Sequence, residues 1–300
     1  MSRENLSLPE VRGSYRFDAD LSKTTWFRVG GKAQVLFKPE DEDDLSYFMA
    51  NKPDELPIFV LGVGSNILIR DGGIKGVVIK LGKNFANISH ESNIINCGAA
   101  CLDVNVANYA MQNNVGGLEF LVGVPGTIGG AIRMNAGAYG RETSEVLSLA
   151  NAVNSKGEQI TLSNHDFGFK YRGSKAPKDL IFTSATFEGN FEDSGIIKQK
   201  MDDISKSREE SQPIRSRTGG STFKNPEGAK AWELIDKVGL RGYSIGGAQF
   251  SEKHCNFLIN TGNASAKDIE SLGELARARV RDAFGIDLEW EIKIIGDANE

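Results

Sequence analysis

The stretch GLEFLVGVPGTIGGAIRMNAGAYG, residues 117–140, decides how the chain is read. Its glycines are too dense for a packed helix and lack the Gly-X-Y period of collagen. Glycine lets a backbone approach a ligand closely and lets successive N–H groups converge. Thr127 to Asn135 reads as a short helix whose N-terminus would hold a phosphate. A second cluster, LGVGSNILIRDGG (61–73), follows a strand. It contains Gly62-x-Gly64, but Ile67 stands where a dinucleotide fingerprint needs its third glycine, and Ile67-Leu68-Ile69 reads as strand where a helix should start. No Walker-A loop is present. Two such loops suit a long diphosphate ligand better than one small anion; tight turns between packed strands are the alternative.

Outward from these loops the chain alternates short apolar runs with turns. Residues 33–39, 57–62, 66–69 and 76–81 read as strands, with an acidic-first-turn helix at 40–52. Another strand at 93–98 precedes a helix at 102–114. Residues 146–154, 158–162 and 180–189 read as an antiparallel set. A charged helix, 192–213, ends at Pro213. Beyond it come a helix at 229–239, a longer one opened by the Ser265/Asp268 capping box, and an alternating last strand at 288–296. The expected organisation is an arm at 1–20, a region 21–195 in two parts (about 21–85 and 86–195, completed by 288–296), and a domain at 212–287. The boundary is expected near 195–212, and the class is α+β.

Composition narrows function. With 300 residues, 35 Lys plus Arg and 40 Asp plus Glu, the net charge is −5. That argues against nucleic acid or an anionic membrane as partner. Three cysteines make no disulfide framework, and with three histidines they make no zinc cluster. The polar start has no apolar signal core and no window is long enough to span a bilayer, so a cytoplasmic protein is expected. In RSRTGGSTFKNPEG (215–228), Gly219-Gly220 are expected to place Ser221 on a turn. No G-x-S-x-G elbow is present, so a serine-hydrolase reading is weak.

Seven stretches carry a resemblance: TTWFRVGGKA (24–33), LGVGSNILIRDGGIKGVVIKL (61–81), GLEFLVGVPGTIGGAIRMNAGAYG (117–140), FKYRGS (169–174), TGGSTFKNP (218–226), GAQFSEKHCNFLIN (247–260) and LEWEIKIIG (288–296). In this order they resemble the UDP-N-acetylenolpyruvoylglucosamine reductases, the MurB family of peptidoglycan precursor synthesis. The resemblance implies a vanillyl-alcohol-oxidase/PCMH-type FAD-binding fold of two α+β subdomains, followed by an α+β substrate-binding domain. It implies non-covalent FAD, NADPH as reductant and a UDP-sugar as substrate. NADPH reduces the flavin, which passes a hydride to the enolpyruvyl double bond to give UDP-N-acetylmuramate. No metal, nucleic acid, membrane or protein partner is implied.

The resemblance assigns Ser221 as proton donor, Arg172 to the substrate carboxylate, and Glu291 as a carboxyl that acts protonated beside that carboxylate. Arginine's planar fork suits a carboxylate. Glu289, two residues from Glu291, is its rival. The FAD positions are Arg28, Gly30, Gly62, Gly64, Ser65, Asn66, Gly123, Pro125, Gly126, Thr127, Gly129, Gly130, Asn135 and Gly137. Substrate-binding candidates are Tyr171, Arg208, Lys224, Asn225, His254, Asn256 and Lys293. The span between Arg172 and Ser221 contains no tyrosine, so the chain resembles the shorter family type. Two rival readings are an FAD-dependent sugar oxidase of the same fold and a nucleotide-sugar binding protein that has lost its flavin.

Overall fold

The computed structural model describes residues 6–299. The fold is α+β. The chain forms two compact units by internal packing. One comprises the chain up to Arg16, Val35–Gly62 and Gly76–Ser205; the other comprises Phe17–Gln34, Val63–Lys75 and Lys206–Glu300. These units interleave in sequence.

Ile58–Val60 pairs in parallel with Ile74–Ile79, in a sheet that also holds Lys32–Lys38 and, at its edge, Ser14–Asp20. The expected arm at 1–20 therefore contains a strand; its residues 1–5 lie outside the described residues. Helix Glu42–Asn51 is capped by Asp41, whose carboxylate accepts from the Asp44 amide, satisfying one orphan N–H of the first turn. It buries Leu45 and Phe48 against Val35, Phe37 and Val77, with the Phe37 and Phe48 rings 4.5 Å apart.

A five-stranded antiparallel sheet follows, in the order Gln159–Ser163, Leu147–Val153, Ile181–Glu188, Ile94–Gly98, Ile88–Glu91. Ala185 lies opposite both Ala150 and Cys97. These small side chains leave room for Val106, Ala110, Ile128 and Ile132, which come from helices Asp103–Gln112 and Ile128–Met134 and share one core with the strands.

The second unit is built on four antiparallel strands, in the order Arg217–Ser221, Phe257–Asn260, Ala248–Phe250, Ser244–Ile245. Helix Ala266–Phe284 buries Ile269, Leu272, Ala276 and Val280 in the same core as Phe250 and Leu258. Ser265 and Asp268 form the expected capping box, and Gly285 closes the helix at φ 68°. Phe27, Val29 and Leu68 join this core from the N-terminal half of the chain. The strand expected over 288–296 is shorter. Only Lys293–Ile295 is strand, parallel to Ile67–Ile69, while Trp290 makes an isolated bridge to Phe223.

Candidate active site

In the second unit, the turn expected around Ser221 is a strand. Arg217–Ser221 pairs with Phe257–Asn260, setting Ser221 opposite Phe257, with a register irregularity between Thr218 and Ser221. Sequence reading took Gly219-Gly220 for a turn because glycine favours one. Here Gly219 is needed for close approach instead, since a Cβ there would stand 2.3 Å from the Phe27 ring. Gly220 at φ 79° then redirects the chain into Ser221.

The backbone after Ser221 is clamped. Asn256 is 4% exposed. Its main-chain carbonyl accepts from Thr222, its side-chain oxygen accepts from the Phe223 amide at 2.9 Å, and its Nδ2 donates to the Phe223 carbonyl at 2.8 Å. Thr222 in turn accepts at its carbonyl from the Glu291 amide at 2.9 Å. On its other side Glu291 accepts at its carbonyl from Nδ2 of Asn66, 3.2 Å away, and the Asn66 carbonyl accepts from Lys293 at 3.0 Å. Ser65, Asn66, Ser221 and Glu291 are thereby brought together: a Cβ on Gly220 would lie 4.0 Å from the Ser65 carbonyl oxygen.

Around them, Gly64 at φ 67° packs on Thr24 and Thr25, and its carbonyl accepts from the Trp26 amide. Gly30 packs on the Ile69 carbonyl. The Arg28 guanidinium donates to the Lys23 carbonyl.

The other second-unit candidates have defined partners. Lys224 pairs with Glu289. Glu289 is exposed and Glu291 half-buried, which separates these two carboxylates. Asn225 accepts from the Ala231 amide at the start of helix Ala231–Lys237. The Arg208 Nε donates to Gln212. The His254 ring packs edge-on to Trp232 and Phe257. Burial, with a smaller push from Arg241, holds its pKa below the usual value. His254 is therefore neutral at pH 7, and its Nδ1 accepts from the Asn256 amide. Sequence reading placed Asn256 and His254 at the substrate. The Asn256 carboxamide shapes the Ser221 strand.

In the first unit, the 117–140 stretch runs through a buried turn into helix Ile128–Met134. The expected phosphate cradle at this helix N-terminus is partly used up. The Ile128 and Gly129 amides donate to the Cys101 and Ala99 carbonyls, and the Gly126 carbonyl accepts from Asp103. What remains is close approach. A Cβ on Gly62 would meet Thr127 Oγ1 at 2.8 Å, and one on Gly123 would meet Ala138 at 3.0 Å. Gly130 is open, with nothing nearer than Thr127 Oγ1 at 3.8 Å. Gly62 and Gly123 thus serve packing within the protein, and the open face at Gly130 fits an extended cofactor lying on backbone.

Asn135, expected near the cofactor, is instead 1% exposed. It caps helix Ile128–Met134 in the left-handed region at φ 45°. Its Nδ2 donates to Glu142 and to the Lys170 carbonyl, and its Oδ1 accepts from Ser144. Gly137 offers its carbonyl to Arg172 Nη2 at 3.0 Å. The Arg172 guanidinium lies 4.9 Å from the centre of the half-exposed Tyr171 ring. Sequence reading missed Thr222 and Glu142. Thr222 lies inside the recognised stretch 218–226 and Glu142 two residues beyond 117–140, and neither carries a further local signal.

Comparison with known proteins agrees with this picture. Residues 212–295 match the family profile for the C-terminal domain of UDP-N-acetylenolpyruvoylglucosamine reductase, and residues 33–163 match an FAD binding domain. The chain is 53% identical over 291 residues to the UDP-N-acetylenolpyruvoylglucosamine reductase of Rickettsia akari (strain Hartford), covering 97% of this chain and 99% of that one. It is 54% identical to that of Parvibaculum lavamentivorans, covering 98% and 94%. The crystal structure of the Thermus caldophilus reductase superimposes with a TM-score of 0.83 at 32% identity, over 96% of this chain and all of that one. The fold extends to the 6-hydroxy-D-nicotine oxidase of Arthrobacter nicotinovorans, with a TM-score of 0.50 at 14% identity over 95% of this chain and 64% of that one. That likeness reflects the PCMH-type fold. Among the described residues no helix is long and apolar enough to cross a membrane.

Proposed function

The chain belongs to the UDP-N-acetylenolpyruvoylglucosamine reductase family, and from that premise we propose how its own residues carry out the reaction. It is a flavin-dependent oxidoreductase of peptidoglycan precursor synthesis, a UDP-N-acetylmuramate dehydrogenase. FAD, when bound, supplies the hydride, and NADPH is its source. Gly62, Gly123, Thr127 and Gly130 are the residues proposed to hold FAD by backbone approach. Support comes from Gly130, where a Cβ would meet nothing nearer than Thr127 Oγ1 at 3.8 Å.

The substrate's enolpyruvyl group is an alkene conjugated to a carboxylate. Hydride addition at its terminal carbon leaves an enolate-like dianion, which needs charge stabilisation and one proton at the neighbouring carbon. Arg172 is assigned to the carboxylate, Ser221 gives the proton, and Glu291 holds a proton on the carboxylate side. Hydride and proton together saturate the double bond, and Ser221 regains its proton from solvent. The observation carrying this reading is the Thr222 carbonyl, which joins the Ser221 strand directly to the Glu291 amide at 2.9 Å. Tyr171, Arg208 and Lys293 are proposed substrate contacts. A cytoplasmic location fits a nucleotide-sugar substrate and NADPH.

An anaerobic experiment tests the reading. NADPH should bleach the flavin absorbance, and UDP-N-acetylglucosamine enolpyruvate should restore it with a saturated lactyl product. Absorbance that stays bleached would overturn the reductase assignment and favour an oxidase. A protein with no flavin band, even after added FAD, would favour a sugar-binding protein.

A further inference from the structure

Arg172 sits at the tip of a tight hairpin in the first unit. Lys170 and Gly173 exchange main-chain hydrogen bonds at 2.9 and 3.0 Å, leaving Tyr171 and Arg172 as the loop. Arg172 has φ 54°, a left-handed conformation that is unfavourable for a non-glycine residue. Such strain persists where the surroundings over-determine it. Beyond Gly137 and Tyr171, those surroundings include a carboxylate: Nη1 lies 3.9 Å from Oε1 of Glu142. The other oxygen, Oε2, accepts from Asn135 Nδ2 at 2.8 Å. Asn135 also donates to the Lys170 carbonyl at the hairpin base. One buried amide thus ties down both the loop carrying Arg172 and the carboxylate facing it.

We propose that Glu142 is a positioning residue for substrate-carboxylate recognition. With Asn135 fixing one oxygen, its other oxygen sets which edge of the Arg172 guanidinium is turned to the incoming carboxylate. The proposal rests on the assignment of Arg172 to that carboxylate. A second carboxylate near the substrate's own is a cost in itself, so its presence calls for a positioning role. Lysine at position 172 would keep the charge but lose the fork that Glu142 orients.

A double-mutant cycle tests it. Glu142→Gln keeps an oxygen for Asn135 and removes the charge. It should raise KM for the UDP-enolpyruvyl sugar about tenfold while leaving kcat within about threefold, a split a purely structural lesion would not give. The NADPH-driven bleaching rate and the melting temperature should stay at wild-type values. Arg172→Lys should raise the same KM, and the double variant should be no worse than Arg172→Lys alone. Because Glu142 also caps the turn Thr143–Glu145, Glu142→Asp serves as a second variant: it keeps the charge and should fall between wild type and Gln, with rates referred to bound FAD. An unchanged KM in Glu142→Gln, or effects that multiply in the double variant, would overturn the positioning role. A wild-type KM in Arg172→Lys would instead sink the assignment of Arg172, and this proposal with it.

Discussion

The carboxamide of Asn66 donates a hydrogen bond to the main-chain carbonyl of Glu291 at 3.2 Å, across 225 positions of sequence. A residue of the 61–73 glycine cluster therefore sets the height of the proposed catalytic carboxyl. Replacing Asn66 by Ala removes one neutral hydrogen bond, worth roughly 0.5–1.5 kcal/mol. Substrate-driven return of the flavin absorbance should slow about three- to tenfold. Stopped-flow traces with saturating substrate check this; an unchanged rate would mean that Glu291 is positioned without Asn66.

Ser221→Ala separates the two halves of the reaction. NADPH should bleach the flavin at the wild-type rate, since no proton from Ser221 is involved. Absorbance recovery on adding substrate should fall by about 10²–10⁴, the range for loss of a positioned proton donor. Equal slowing of both halves would point to a structural lesion.

Gly273 makes room for Trp290. A Cβ at 273 would lie 2.0 Å from the indole ring, which also donates from Nε1 to Glu274 and packs on Phe223. Gly273→Ala should destabilise the protein by about 1–3 kcal/mol through overpacking. Because Trp290 adjoins Glu291, turnover should fall as well. Denaturant unfolding and steady-state assays on the same preparation check both effects.

Asp103 is fully buried, with neither carboxylate oxygen hydrogen-bonded among the described residues. Burial first, and the neighbouring Cys101 second, hold its pKa well above 3.8. A carboxyl with a raised folded pKa favours the folded state most at low pH. That contribution is lost as pH climbs from the unfolded value through the folded one. Relative to Asp103→Asn, the wild type should therefore lose stability by up to about 1.4 kcal/mol per pH unit across that window. Urea unfolding at pH 5, 6 and 7 measures the slope. Parallel curves would mean that Asp103 ionises in the folded protein as it does in water.

What could be read from sequence follows physical range. Helix Ala266–Phe284 announces itself locally, by Ser265 and Asp268 at its start and Gly285 at its end. Lys32–Lys38, around Val35, Leu36 and Phe37, and the β-branched run Ile74–Ile79 bury most of their side chains as their apolar residues require. The strand Arg217–Ser221 was invisible because only a distant ring, Phe27, makes glycine the right residue there. Leu288–Ile292 alternates like a strand, yet its backbone is bonded to Thr222, Lys224 and Asn66 in an irregular run. Asn135 and Asn256 look like ligand contacts because each adjoins a recognised motif. Both spend their carboxamides on protein backbone or a neighbouring carboxylate, and only tertiary structure reveals that.

Strand Ile67–Ile69 completes its pairing with Lys293–Ile295. On a ribosome the two are made far apart in time. The first unit has all its residues by Ser205, whereas the second holds two early segments, Phe17–Gln34 and Val63–Lys75, that wait for the chain beyond Lys206. Leu68 and Phe27 therefore spend most of translation without the core that later buries them. Both stay without their native core until the chain beyond Lys206 has been made.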